Sequence, residues 1–270
     1  MTGRTGRAAP TSPSRSGRPT GAAVALPWLL AATTVGAQIA YPLVEGAWLR
    51  RVTVATVVFF FAACVTHALV HRGWRWTLTL VAVTAGGGLV AEAVGVRTGL
   101  PFGDYSYAGT LGPEVLAVPL VVPLAWTMIA YPVLLAARLL TRRLAPVVGA
   151  LGMVAWDVFL DPQMVGDGHW TWADPTPALP GVEGIPLTNY AGWGAVALLM
   201  MLVLDTVLPR DHPAARADES VPATLLLWTW LGYVIGNVFW FGTGSVALVG
   251  GVALGLLVLP YCWVLWQPRD

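Results

Sequence analysis

Charge-free runs set the rhythm of this chain. Residues 19–44, 52–71, 76–91, 115–137, 144–156, 184–204 and 220–268 contain no Asp, Glu, Lys or Arg. A helix rises about 1.5 Å per residue and needs about 20 apolar residues to cross a bilayer. The last run, residues 220–268, is therefore long enough to cross twice, and Gly242-Thr243-Gly244 supplies a break near its middle. The first run, residues 19–44, exceeds the roughly 7–15 residues of a signal-peptide core and reads as a retained helix. The pattern predicts eight helices, near 22–44, 52–70, 76–96, 115–138, 144–160, 189–208, 221–241 and 245–266. Residues 1–20, rich in Arg, Ser, Thr, Gly and Pro, read as a disordered cytoplasmic tail ahead of a single helical domain over 21–268.

Composition narrows the class. Hydrophobic residues make up 56% of the 270 residues and charged residues only 11%, against about 25% charged in a soluble domain. That excludes a soluble globule, and two cysteines exclude a disulfide scaffold. A net charge of +1 offers no basic stripe for nucleic acid. Every basic residue is arginine. With the N-terminus placed in the cytoplasm, Arg4, Arg7, Arg15, Arg18, Arg72, Arg75, Arg138, Arg142, Arg143, Arg210, Arg216 and Arg269 fall inside, while Arg50, Arg51 and Arg97 fall outside. The expectation is an all-α, polytopic transmembrane bundle of about eight spans in the cell membrane, bathed by lipid, with both termini cytoplasmic.

Carboxylates gather on the other side. Glu45, Glu92, Asp104, Glu114, Asp157, Asp161, Asp167, Asp174 and Glu183 fall on outer loops or outer helix halves. Glu92 sits four residues inside the predicted end of the third helix, where an ionisable group is costly and marks function by default. Asp157 and Asp161, at the predicted end of the fifth helix, are spaced i, i+4 and share one face. Two carboxylates so close resist ionising together, which keeps a proton available. The segments 97–114 and 161–188 hold carboxylates, aromatic rings and many Gly and Pro residues; they read as irregular loops capping a site. His67 and His71 share i, i+4 spacing but read as packed residues, with no metal expected. Gln38 and Asn237 read as helix–helix hydrogen-bonding groups, and Gly232-xxx-Gly236 and Gly251-xxx-Gly255 as close helix contacts.

Several ordered blocks resemble the membrane carotenoid-biosynthesis family of the bisanhydrobacterioruberin hydratase and γ-carotene 1′-hydroxylase type. They are Glu92, Pro101-Phe102-Gly103-Asp104-Tyr105-Ser106-Tyr107, Trp156-Asp157 through Asp161-Pro162, Gly168-His169-Trp170-Thr171-Trp172, and Gly184 through Asn189 to Trp193. The resemblance covers about residues 30–265. It implies a cofactor-independent hydratase that adds water to the terminal C=C of an acyclic carotenoid and forms a tertiary alcohol. It also implies a carotenoid substrate held within the bilayer and association with other enzymes of the pathway.

An isolated alkene is a weak base, so its protonation needs a strong acid in a dry site and leaves a tertiary cation. Asp157 or Asp161 is the expected acid, and Glu92 the base or water-orienting group. Tyr105, Tyr107, Trp170 and Trp172 form the expected cation-facing wall, each ring offering about 0.5–2 kcal/mol. Asn189 is expected to hydrogen-bond water, and Phe102 and Trp193 to touch substrate. Two enzyme alternatives are a carotenoid cyclase, which uses the same acid, and a prenyltransferase or elongase, which needs cationic partners for a diphosphate. A non-catalytic carotenoid- or lipid-binding protein or transporter is a third.

Overall fold

The computed structural model describes residues 21–210 and 218–267. The expected tail over 1–20, Arg216 and Arg269 lie outside these residues. Among those described, eight helical segments are long and apolar enough to cross a membrane. In chain order the helices are α1 (Gly21–Ala40), α2 (Gly46–Arg72), α3 (Trp74–Val81), α4 (Gly87–Thr98), α5 (Val121–Leu140), α6 (Ala145–Gly166), α7 (Leu187–Val207), α8 (Ser220–Phe239) and α9 (Gly244–Trp266). Helices α3 and α4 form one span, joined by a π-helical turn over Ala82–Gly86. Such a turn inserts a residue and rotates the helix downstream of it; on that downstream part, Glu92 faces the bundle interior at 5% exposure.

Helix α5 runs through the centre, with Trp126, Ile129, Tyr131, Val133 and Leu134 fully enclosed. Around it pack the pairs α1–α2, α6–α7 and α8–α9. Small residues permit the closest approaches: a Cβ added to Gly88 would lie 2.7 Å from the Trp126 ring, and one added to Gly255 would lie 3.2 Å from that of Trp230. The end holding Arg72, Arg75, Arg138, Arg142, Arg143 and Arg210 is the arginine end, and the opposite end carries the cap. At the arginine end, Arg138 pairs with Asp205 at 3.0 Å and donates to the Leu204 and Leu208 carbonyls, satisfying the last turn of α7.

The cap is not wholly irregular. Strand β1 (Tyr105–Tyr107) pairs antiparallel with β4 (Trp170–Trp172), β2 (Glu114–Val115) with β3 (Val118–Pro119), and β5 (Ala178–Leu179) with β6 (Val182–Pro186). Side chains alternate along a strand, and the register sets Tyr105 opposite Trp172 and Tyr107 opposite Trp170. One face of this ribbon thus carries four aromatic rings, while Ser106 and Thr171 on the other face are exposed.

Several boundaries depart from the sequence reading. Helix α2 begins at Gly46 rather than 52, so that Arg50 and Arg51 lie in its first turns. Helix α5 begins at Val121 rather than 115, because Leu116 and Ala117 turn the chain with φ of 56° and 66° between β2 and β3. Helix α6 continues through Pro162 to Gly166, so Asp157 and Asp161 lie inside a helix rather than at its end. Proline removes only the bond to the Val158 carbonyl, and the added turn buries Met164 at 5% exposure. Helix α4 ends at Thr98, where Gly99 adopts the left-handed conformation (φ 72°), so Glu92 lies six residues from that end rather than four. The two polar groups assigned to helix–helix bonds also differ. The Asn237 amide donates to the Tyr233 carbonyl of its own helix, and its oxygen accepts from Thr243 at 2.5 Å. The Gln38 oxygen has no partner among the described residues and borders a cavity.

Candidate active site

Five helices, α2, α4, α5, α6 and α7, converge beneath the cap. A cavity of about 60 Å³ is bordered by Glu92 of α4, Phe102, Tyr105 and Tyr107 of the first cap segment, Trp126 of α5, Asp161 of α6, Trp170 and Trp172 of β4, and Asn189 and Trp193 of α7. Nine of the ten site residues named from the sequence share this cavity; Asp157 does not border it. It lies one helical turn from Asp161, wholly buried, and is joined to it through α7. The Asn189 amide nitrogen donates to Asp157 Oδ2 at 2.9 Å and also to Asp161 Oδ2. An amide NH₂ has two hydrogens, and here they serve the two carboxyl groups. The Trp170 indole donates to the other Asp161 oxygen at 3.1 Å.

Glu92 is held differently. The Tyr105 hydroxyl donates to its Oε2 at 2.5 Å, the Tyr107 hydroxyl to the same oxygen at 2.8 Å, and the Trp126 indole to Oε1 at 3.1 Å. Three donors on one carboxyl suit its acceptor-only ionised form. Burial, and then the Glu92 carboxylate, push both phenols far above their ordinary range, so both remain donors.

The aromatic wall is continuous. Ring centroids are 5.8 Å apart for Tyr105–Trp172 and for Tyr107–Trp170, and Trp126 stacks on Trp193 at 3.9 Å. The Trp172 indole also bonds the Phe102 carbonyl at 2.9 Å, tying the two cap segments together. Sequence reasoning missed Trp126. Its signal is a ring with one polar tip inside an apolar run, which by composition looks the same as a lipid-facing tryptophan. His67 and His71 lie toward the arginine end, stacked at 4.4 Å, with His67 bonded to the Tyr131 hydroxyl at 2.8 Å.

At the cap rim the Tyr41 hydroxyl donates to Asp167. Burial raises the Asp167 carboxyl from 3.8 to about 6. Between those values the folded chain binds more proton than the unfolded one, so this group's contribution to stability falls as pH rises across that window and is flat above it. Thermal midpoints measured in detergent from pH 4 to 8 are expected to show this component in the wild type and to lack it in Asp167→Asn.

Residues 52–259 match the family of carotenoid biosynthesis proteins. The chain belongs to that family. Over 177 residues this family member is 30% identical to the bisanhydrobacterioruberin hydratase of Haloarcula japonica, an alignment covering 59% of this chain and 56% of that protein. The chain thus spans about half the length of the curated relative it matches. No solved structure matches it.

Proposed function

We propose that this carotenoid biosynthesis protein is a hydratase that adds water across the terminal C=C of an acyclic carotenoid end group. One observation carries the reading: a small aromatic-walled cavity has a paired carboxyl on one side and a triply hydrogen-bonded carboxyl on another. In this reading Asp161 is the acid. It borders the cavity and lies beside a second buried carboxyl. Two adjacent buried charges of one sign are expensive, so the pair retains a proton. Asp157 acts through Asn189 as a positioning residue.

The reaction then balances simply. Asp161 gives its proton to the less substituted alkene carbon, and the cation forms on the tertiary carbon. Tyr105, Tyr107, Trp170 and Trp172 face that charge. Glu92 orients a water and takes its proton as the C–O bond forms, leaving a tertiary alcohol. The proton returns to Asp161 through solvent exchange. In this reading the cap lies on the non-cytoplasmic side, which the arginine split favours. The cavity lining contains no arginine or histidine to hold a diphosphate, which favours a hydrocarbon substrate over a prenyl diphosphate.

Expression in a lycopene-producing host, followed by mass spectrometry of the pigments, tests the reaction. A gain of one water with its oxygen drawn from labelled solvent supports hydration. An isomer of unchanged mass identifies cyclisation instead, and unmodified pigment bound to the protein identifies a carrier. Within the hydratase reading, Tyr105→Phe removes the 2.5 Å bond to Glu92. Alcohol formation is expected to fall about tenfold, the loss of one hydrogen bond to a charged group, with the pigment otherwise unchanged.

A further inference from the structure

A second cavity, of about 280 Å³, adjoins the first. Thr53, Val57, Met128, Leu160 and Met164 border both, so these five residues form the waist between them. The larger cavity runs between α1, α2, α6 and α8. Its mouth is set by Ile39, Leu43, Ile235 and Trp240, which are 51%, 69%, 42% and 53% exposed on the apolar flank of the bundle. Its inner end lies midway along α8 at Trp228 and Thr229.

We infer that this cavity is the binding site for the conjugated chain of the substrate, which enters sideways from the bilayer between α1 and α8. The inference rests on the hydratase reading for the identity of the reacting end. A void of about 60 Å³ holds an end group and little more. The rest of the carotenoid chain must leave it, and the waist leads to the larger void and thence to the lipid-facing flank. A second observation points to a ligand with π density. Thr229, only 3% exposed, and Trp228 line this cavity, and the Thr229 hydroxyl and the Trp228 indole N–H have no hydrogen-bond partner among the described residues; nor have the Thr56 hydroxyl and the Gln38 oxygen, whose residues line it too. The two hydroxyls and the indole are donors, and the Gln38 oxygen is an acceptor. A conjugated chain presents the donors with a weak π acceptor, which a saturated acyl chain lacks.

Gly232 offers the test position. A Cβ added there meets nothing nearer than the Trp228 ring at 3.9 Å, so larger side chains grow into the void. Gly36 on α1 has nothing within 4 Å, is exposed, and does not border either cavity, so it serves as the bulk-matched control. Full-length protein in nanodiscs is titrated with lycopene, and binding is read from the induced circular dichroism of the polyene band. The same samples are assayed for alcohol. Gly232→Ala, Gly232→Leu and Gly232→Phe are expected to weaken binding in order of size, by about tenfold or more at Phe; Gly36→Phe is expected to bind as the wild type. The graded series keeps the smaller variants informative if Phe prevents folding. A fully saturated forty-carbon hydrocarbon is expected not to displace lycopene. Wild-type affinity in Gly232→Leu and Gly232→Phe, or displacement by the saturated chain, overturns the inference, the latter identifying a general lipid crevice. Size-dependent binding without any alcohol from the wild type rejects the hydratase reading and leaves the chain site standing.

Discussion

An Asp161→Asn protein is expected to lose alcohol formation by about a thousandfold, inside the roughly 10²–10⁴-fold range of a positioned general acid. That is about 4 kcal/mol of barrier. The substitution keeps the shape of the side chain but removes the transferable proton, and its single oxygen can accept from Trp170 or from Asn189 but not from both. It also removes one of two neighbouring buried carboxyls, so the thermal midpoint is expected to stay level or rise. Asp157→Asn is the informative companion. Asp157 does not border the cavity and is linked to it through the Asn189 amide and through its neighbour Asp161. Its loss is expected to cost about tenfold, a positioning effect rather than the loss of the reacting group. Equal activity of Asp161→Asn and wild type, at equal expression, would reject the assignment of the acid.

Gly192 governs the second large effect. It lies on α7, three residues after Asn189, where the first cap segment rests on the helix. A Cβ there would sit 2.6 Å from the Pro101 carbonyl oxygen and 2.9 Å from the Phe102 ring. The first of these is backbone and has no rotamer with which to yield. Gly192→Val must therefore lift the cap or push α7 aside, at about 1–3 kcal/mol for overpacking. Phe102, Tyr105 and Tyr107 follow directly in that segment, so their alignment with Asp161 is disturbed. A displacement of about 1 Å costs on the order of 10²-fold in rate. Activity is expected to fall by that order although neither carboxyl pair nor Glu92 is altered. Gly194→Ala is the control: its added Cβ would find only Val154, at an ordinary 3.7 Å. A Gly192→Val protein as active as Gly194→Ala would show that the cap does not position the site.

The spans are legible because an uncharged run of bilayer length has one physical reading in lipid. The shared face of Asp157 and Asp161 is legible for the same kind of reason, since i, i+4 spacing survives whether the helix stops at 161 or continues. Three things are not. The charge-free pattern ends the fifth helix at 160, although the helix runs on through Pro162, whose one missing amide is tolerated where a core residue such as Met164 is gained. The aromatic ribbon is hidden because Tyr105-Ser106-Tyr107 and Trp170-Thr171-Trp172 alternate over only three residues each, too short for the four to eight residues or so that mark a strand. Their pairing also spans some sixty residues of intervening chain, which no local pattern reports. Finally, spacing cannot say which of two aspartates one turn apart borders a void, because that depends on α7 and the cap together.

The Asn189 bridge has a consequence for biogenesis. Both aspartates emerge from the ribosome on α6, before the amide that links them exists. A nascent chain halted before Leu187 holds the two acids but not their clamp, and it also lacks Trp193. The cavity is therefore closed on this side only once the α7 segment, with Asn189 and Trp193, has been inserted.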